Sequence, residues 1–213
     1  MGKQFTINLF NFADIQFWFS MNYKFFLRGI KTIISNPTSI WNTTDSKNIP
    51  IKLLRGSLLF PLIIFVSLSA AVGSLIFTNP ELSTAYSIFT GVKCLVVLLI
   101  TVYGTTYILS EITYPLDLGK DFNVSFSLIA YSIVPFLLCQ IVSRLLESLL
   151  FINILGLYGI YIFWTGVEKI LNPPHYKKMP LLIATTVTII GIYVASNLAL
   201  TMLIDRVYFS YFA

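Results

Sequence analysis

The sequence predicts an all-α fold: a polytopic membrane bundle of five transmembrane helices with an N-terminal amphipathic helix. Three observations predict it. Hydrophobic residues make up 56% of the 213 and charged residues only 11%, where a soluble globular chain carries roughly 25% charged residues. The uncharged residues gather in runs near the ~20 that a ~30 Å hydrocarbon layer requires at ~1.5 Å per residue. Lysine and arginine sort mainly to one side of those runs. A water-soluble domain is excluded, and no length remains for a large extramembrane one, so function falls in the membrane or on short loops.

Residues 1–54 read as a cytoplasmic N-terminal segment, without a compact apolar stretch and cleavage site, so no signal peptide is expected. Met1-Gly2-Lys3-Gln4-Phe5-Thr6 fits the myristoylation pattern, but five spans make an acyl anchor superfluous. Phe17, Trp18, Phe19, Phe25 and Phe26 argue against a disordered tail. At about 100° per residue, Ile15, Phe19, Phe26, Ile30 and Ile33 gather on one helical face and Ser20, Lys24, Arg28, Lys31 and Ser35 on the other. The spacing therefore predicts an amphipathic helix over residues 14–35, ended by Asn36-Pro37. Two placements stay open: in the membrane interface, with Lys24, Arg28 and Lys31 toward lipid headgroups, or packed under the bundle. Asn22 and Gly29 interrupt its apolar face.

The membrane domain follows over residues 55–206. Its first span is Ser57 to Phe77, anchored by Lys52 and Arg55. The second runs from about Cys94, or from as early as Tyr86, to Ser110 and stops at Glu111. Val124 to Ser143 is the third, with Pro135 at its middle. The fourth starts between Ser148 and Phe151 and ends before Glu168-Lys169. Leu181 to Ile204 is the fifth, bounded by Pro180 and by Asp205-Arg206, and residues 207–213 form a short outer C-terminus.

Lys3, Lys24, Arg28, Lys31, Lys47, Lys52, Arg55, Lys120, Lys169, Lys177 and Lys178 fall on one side of these spans. Only Lys93, Arg144 and Arg206 fall on the other. Cytoplasmic segments keep the positive excess, so the expectation is a multi-pass cell (inner) membrane protein with its N-terminus cytoplasmic and its C-terminus outside. The net charge of +5 thus orients the chain in a bilayer and does not mark a nucleic-acid surface.

The chemical inventory is thin. His175 is the single histidine and lies in an exposed Asn-Pro-Pro-His-Tyr-Lys-Lys turn. The sequence has no H-E-x-x-H helix, CxxC pair, glycine-rich phosphate loop or Gly-x-Ser-x-Gly element. Cys94 and Cys139 sit inside apolar runs and read as small packing residues. Glu111, Asp117 and Asp121 share one loop with Lys120, where a solvated, span-terminating role outweighs acid–base work. No catalytic residue, metal or cofactor is expected.

Two places hold candidate polar sites. Pro135 deprives the Tyr131 carbonyl of its helical donor, so a kink there, with Ser132 beside it, could open a polar pocket. Packing alone is the alternative use of such a kink. Arg144 and Glu147, three residues apart, could pair on one helical face or snorkel to the interface. Ser67 with Ala71, Ala70 with Ser74, and Gly156, Gly159 and Gly166 mark close helix contacts and argue a compact bundle.

Ala130-Tyr131-Ser132-Ile133-Val134-Pro135 resembles the Ala-Tyr-Ser-x-x-Pro element in the third span of Yip1-domain membrane proteins. Leu157-Tyr158-Gly159-Ile160-Tyr161-Ile162-Phe163-Trp164-Thr165-Gly166-Val167 resembles that family's fourth span. Ile33 to Trp41 is similar to the Asn-Pro-x-x-x-Trp element of its bacterial members, and the likeness covers about residues 30 to 204 in order. The resemblance implies a five-helix bundle with the N-terminus inside, a bacterial-type member. Family links to Rab-type GTPases run through a longer tail with an Asp-Leu-Tyr-Gly-Pro element that this chain lacks, which puts GTPase binding in doubt.

Taken together, the residues point to a non-enzymatic integral membrane protein that organises membrane proteins or lipids. The alternative is a small transporter or channel with a site near the span-three kink. Expected partners are membrane lipids and other membrane proteins, or a second copy of the chain, and no nucleic acid.

Overall fold

The computed structural model describes residues 23–43, 51–77, 84–114, 116, 118–119 and 121–211. The described residues are helical, with no strand among them. Helix α1 is Tyr23–Ser35 and α2 is Pro37–Thr43. Asn36 separates them and caps α2, its Oδ1 accepting from the Ser39 N–H at 3.3 Å and the Thr38 hydroxyl at 2.8 Å. Pro37 takes the first helical position, where its missing N–H costs nothing. The expected stop at Asn36-Pro37 is thus a helix–helix corner. Residues 14–22 of the expected helix lie outside the described residues.

The first span is one continuous rod. Helix α3 (Ile51–Leu54) passes through a π-helical turn, Arg55–Leu59, into α4 (Phe60–Phe77). Helix α5 (Thr84–Thr113) is the second span, at 30 residues longer than the run from Cys94. At ~45 Å it overshoots the hydrocarbon layer by about 15 Å. The third span is two helices, α6 (Phe122–Ser132) and α7 (Val134–Leu145), bent by 41° at Ile133. Asp121 caps α6, its Oδ1 accepting from the Asn123 and Val124 N–H groups at 2.8 and 3.4 Å.

The fourth span opens as a 3-10 helix, Glu147–Leu157, continues as α8 (Tyr158–Gly166), and closes in a second π-helical turn, Val167–Leu171. Eleven residues of 3-10 winding is long for that conformation. Its three-residue repeat stacks Asn153 and Gly156 on one side, and both meet α7. Asn172, in the left-handed region at φ 40°, ends the span.

Helix α9 (His175–Tyr211) runs straight through Pro180, which the sequence placed at a boundary. Pro180 is exposed, and the carbonyl it leaves without a donor belongs to exposed Tyr176, so the end of the helix absorbs the loss. By length and composition four helices suffice to cross a membrane, or five with the bent pair as one span.

Helix α5 is the centre of the bundle, touching α4, α6 and α9; α4 also packs on α7, and α8 on α6. Inside a bilayer, helices associate through close packing and not through exclusion of water, so small residues decide these contacts. A Cβ at Gly91 of α5 would lie 2.9 Å from the Ala71 Cβ and 3.1 Å from the Ser67 carbonyl, so the Ser67/Ala71 pair is the α4–α5 seam. Beside it the Ser87 and Ser74 hydroxyls are 3.3 Å apart. A Cβ at Gly73 would strike the Arg144 carbonyl, and one at Gly159 the Ser132 carbonyl.

Buried hydroxyls mostly bond back into their own helices, as Thr101 does to Val97, Thr106 to Val102 and Thr185 to Leu181. That satisfies polar groups where no water can. The segment α1–α2 packs on the bundle: Ile33 is fully buried, Trp41 sits against Gly166 in α8, and the Tyr158 hydroxyl donates to the Ile34 carbonyl at 3.1 Å.

Candidate functional site

Tyr131, Ser132 and Pro135 meet at the bend between α6 and α7. The Ser132 hydroxyl donates to its own helix at the Leu128 carbonyl, 2.6 Å away. The Tyr131 ring stands edge-on to Trp41 of α2, centroids 5.2 Å apart at 89°. Ser132 and Pro135 are buried, and the Ser132 carbonyl lies against Gly159. The neighbourhood is packed by α2 and α8. Among the described residues the buried indole N–H of Trp41 has no acceptor, and the buried Thr105 hydroxyl on α5 has no partner.

Arg144 is nine residues further along α7, about 14 Å from Pro135, so the two candidate places are separate sites. The shared helical face of Arg144 and Glu147 does not exist. Helix α7 ends at Leu145, Leu146 is extended (φ −132°, ψ 91°), and Glu147 begins the 3-10 helix. The chain has to reverse direction there to enter the fourth span, and one extended residue breaks the helical spacing. Nothing is described of the Glu147 side chain.

Arg144 bonds elsewhere. Its Nε donates to Gln140 Oε1 at 3.2 Å, Gln140 Nε2 donates to Asn153 Oδ1 at 3.4 Å, and the Ser143 hydroxyl donates to the same Asn153 oxygen at 3.2 Å. On the facing helices, Lys93 Nζ donates to Thr201 Oγ1 at 3.2 Å and the Tyr86 hydroxyl to Asp205 Oδ1 at 3.5 Å. At the end of the bundle away from α1, spans three and four thus share one polar group and spans two and five another. Sequence reasoning missed both. Their signal was present as isolated polar residues inside apolar runs, Gln140 and Asn153 above all, which no periodic pattern singled out.

At the opposite end the cations lie on the rim. Arg28 and Lys31 are exposed on α1, turned away from buried Phe26 and Ile33; the Lys24 side chain lies outside the described residues. Lys178 pairs with Glu168 at 2.7 Å, and Lys177 Nζ donates to the Leu116 carbonyl at 2.8 Å. Above this rim, α8 and α9 together line a wide-open, shallow surface groove of about 510 Å³, formed by Leu157, Ile160, Tyr161, Trp164, Met179 and Leu182. Among the described residues, no three His, Cys, Asp or Glu side chains gather as a metal site would require.

Long apolar helices, internally satisfied hydroxyls and lipid-facing side chains define a polytopic α-helical membrane protein. Within that class, residues 31–197 match the Yip1 domain, and the chain belongs to the Yip1 family. No curated protein and no solved structure gives a significant match.

Proposed function

We propose that this chain is a non-enzymatic organiser of the membrane around it, which holds lipid at its lateral surface and through that contact orders lipids or neighbouring membrane proteins. The groove between α8 and α9 carries the reading. Its lining is aliphatic and aromatic, it opens sideways from helices of membrane-spanning length, and Lys169 follows Trp164 while Lys177 and Lys178 immediately precede Met179. An acyl chain matches that wall, and an anionic headgroup matches that rim. The packed surroundings of Tyr131 and Ser132 favour this over a transport pathway at the bend. We further assign the end bearing α1 and the lysine rim to the cytoplasmic side of the cell membrane, following the charge asymmetry.

Trp164 provides the test. In bilayers with brominated acyl chains, Trp164 fluorescence should be quenched, and the quenched component should vanish in Trp164→Phe. Quenching equal in wild type and variant would mean that no chain occupies the groove.

A further inference from the structure

The first half of span four is wound in a form that its own sequence does not demand. Leu149 leaves helical angles (φ −103°, ψ 28°), and beyond it Leu150–Leu157 hold 3-10 winding without a break, where runs longer than three or four residues are uncommon. No proline and no charge occurs from Ser148 to Val167, so nothing in the chain bars an α-helix there. What selects the 3-10 form is α7. Three residues per turn put Asn153 and Gly156 in line. Asn153 Oδ1 then accepts from the Ser143 hydroxyl and from Gln140 Nε2, while a Cβ at Gly156 would lie 3.2 Å from Phe136 Cα. In α winding the two residues would point about 60° apart around the axis, and both could not stay seated.

The two ends of this segment are held differently. On one side α8 is fixed: Gly159 backs onto the Ser132 carbonyl, Gly166 onto Trp41, and the Tyr158 hydroxyl donates to the Ile34 carbonyl. On the other side Leu149 and extended Leu146 give two swivels outside helical space. A change of winding therefore moves the turn at Leu146–Leu149 and leaves α8 in place. Each residue advances about 2.0 Å in 3-10 winding and about 1.5 Å in an α-helix, so rewinding eight residues retracts that turn by about 4 Å. The uncharged run Leu150–Val167 is about 31 Å long as wound and about 27 Å as α-helix throughout. Bilayer cores range from about 27 to about 33 Å.

We infer that Leu150–Leu157 adjusts span four to the thickness of the hydrocarbon around it, wound as 3-10 helix in thick bilayers and rewound as α-helix in thin ones. Its outer side is open to that environment, since Leu150, Phe151, Ile154 and Leu155 are 64–66% exposed. In a thin bilayer these side chains would stand outside the hydrocarbon. Retraction keeps them covered, which offsets the loss of the Asn153 hydrogen bonds. The inference rests on the membrane reading of the chain and not on a lipid chain in the groove.

Electron-spin distances between labels at positions 150 and 161, in the full chain lacking Cys94 and Cys139, test it. The labelled sites are separated along the axis by about 20 Å in the 3-10 form and about 16 Å with α winding. The long distance should appear in phosphatidylcholine bilayers with acyl chains of about 22 carbons, and should fall by about 4 Å with chains of about 14. Labels at 88 and 108 on α5 should keep one separation of about 30 Å in both. Asn153→Leu, which frees the segment from α7, should give the short distance in both bilayers. The wild-type series stands alone if that variant does not fold. One 150–161 distance in both bilayers overturns the inference, as does an equal change between 88 and 108 or an Asn153→Leu chain that keeps the long distance in thin bilayers. Trp164 quenching would be unaffected by any of these, because it reads the acyl chain alone.

Discussion

A single methyl group is enough to test how closely these helices approach. At Gly159 it would strike the Ser132 carbonyl and at Gly73 the Arg144 carbonyl, both backbone atoms that cannot swing aside. Gly159→Ala and Gly73→Ala should each cost about 1–3 kcal/mol by overpacking, whereas Gly191→Ala, with nothing within 4 Å, should be neutral or stabilising. Thermal unfolding in detergent checks the order; equal stability of all three would refute the packing. Residues of this kind were legible in the sequence, since Gly159 and Gly166 in a membrane run have few uses other than close contact. Trp41 was legible as part of a family element but not as a partner of Tyr131, because 90 residues separate them. Lys93 was legible only as one of the outer-side cations for the same reason: Thr201 meets it only through the fold.

At the scale of elements, the bend between α6 and α7 and the docking of α1 matter most. Pro135→Ala restores the regular i→i−4 donor opposite the Tyr131 carbonyl, which the Ile133 N–H meets at the cap of α6, and should straighten the 41° bend. Spin labels at positions 123 and 146 should then move apart by about 2 Å for two segments of this length. An unchanged distance would mean that the Gly159–Ser132 contact, and not the proline, sets the angle. The bend was legible because proline acts locally. The 3-10 half of the fourth span was not: its winding follows the fit of Asn153 and Gly156 against α7, a tertiary contact.

Of the two placements that the periodicity left open for α1, the contacts show packing on the bundle. Phe26 and Ile33 pack on the bundle while Arg28 and Lys31 stay exposed. These cations, with Lys24, remain our proposed headgroup contacts. Changing all three to Gln in a peptide of residues 14–35 should weaken binding to anionic vesicles by up to about 1 kcal/mol per charge and flatten its salt dependence. Unchanged binding would leave α1 a packing element alone.

For the whole molecule, the exposed stripe Ile183, Val187, Ile190, Val194, Leu198 and Met202 on α9 states the environment plainly. Helix α9 is held chiefly by α5, and its other side is hydrocarbon-like along its length. The number of spans was legible from run length, and their order around α5 was not, since lipid-facing and buried apolar residues look alike in a sequence. Crossing number now depends on the bent pair, which either traverses the membrane as one span or turns back within it. The account requires traversal, because only an odd number of crossings puts the two termini on opposite sides of the membrane, as the charge asymmetry demands. Accessibility labelling of single cysteines before Gly2 and after Ala213, in a background lacking Cys94 and Cys139, measures this directly. The account predicts the first reached only from the cytoplasm and the second only from outside; both reached from one side would contradict it.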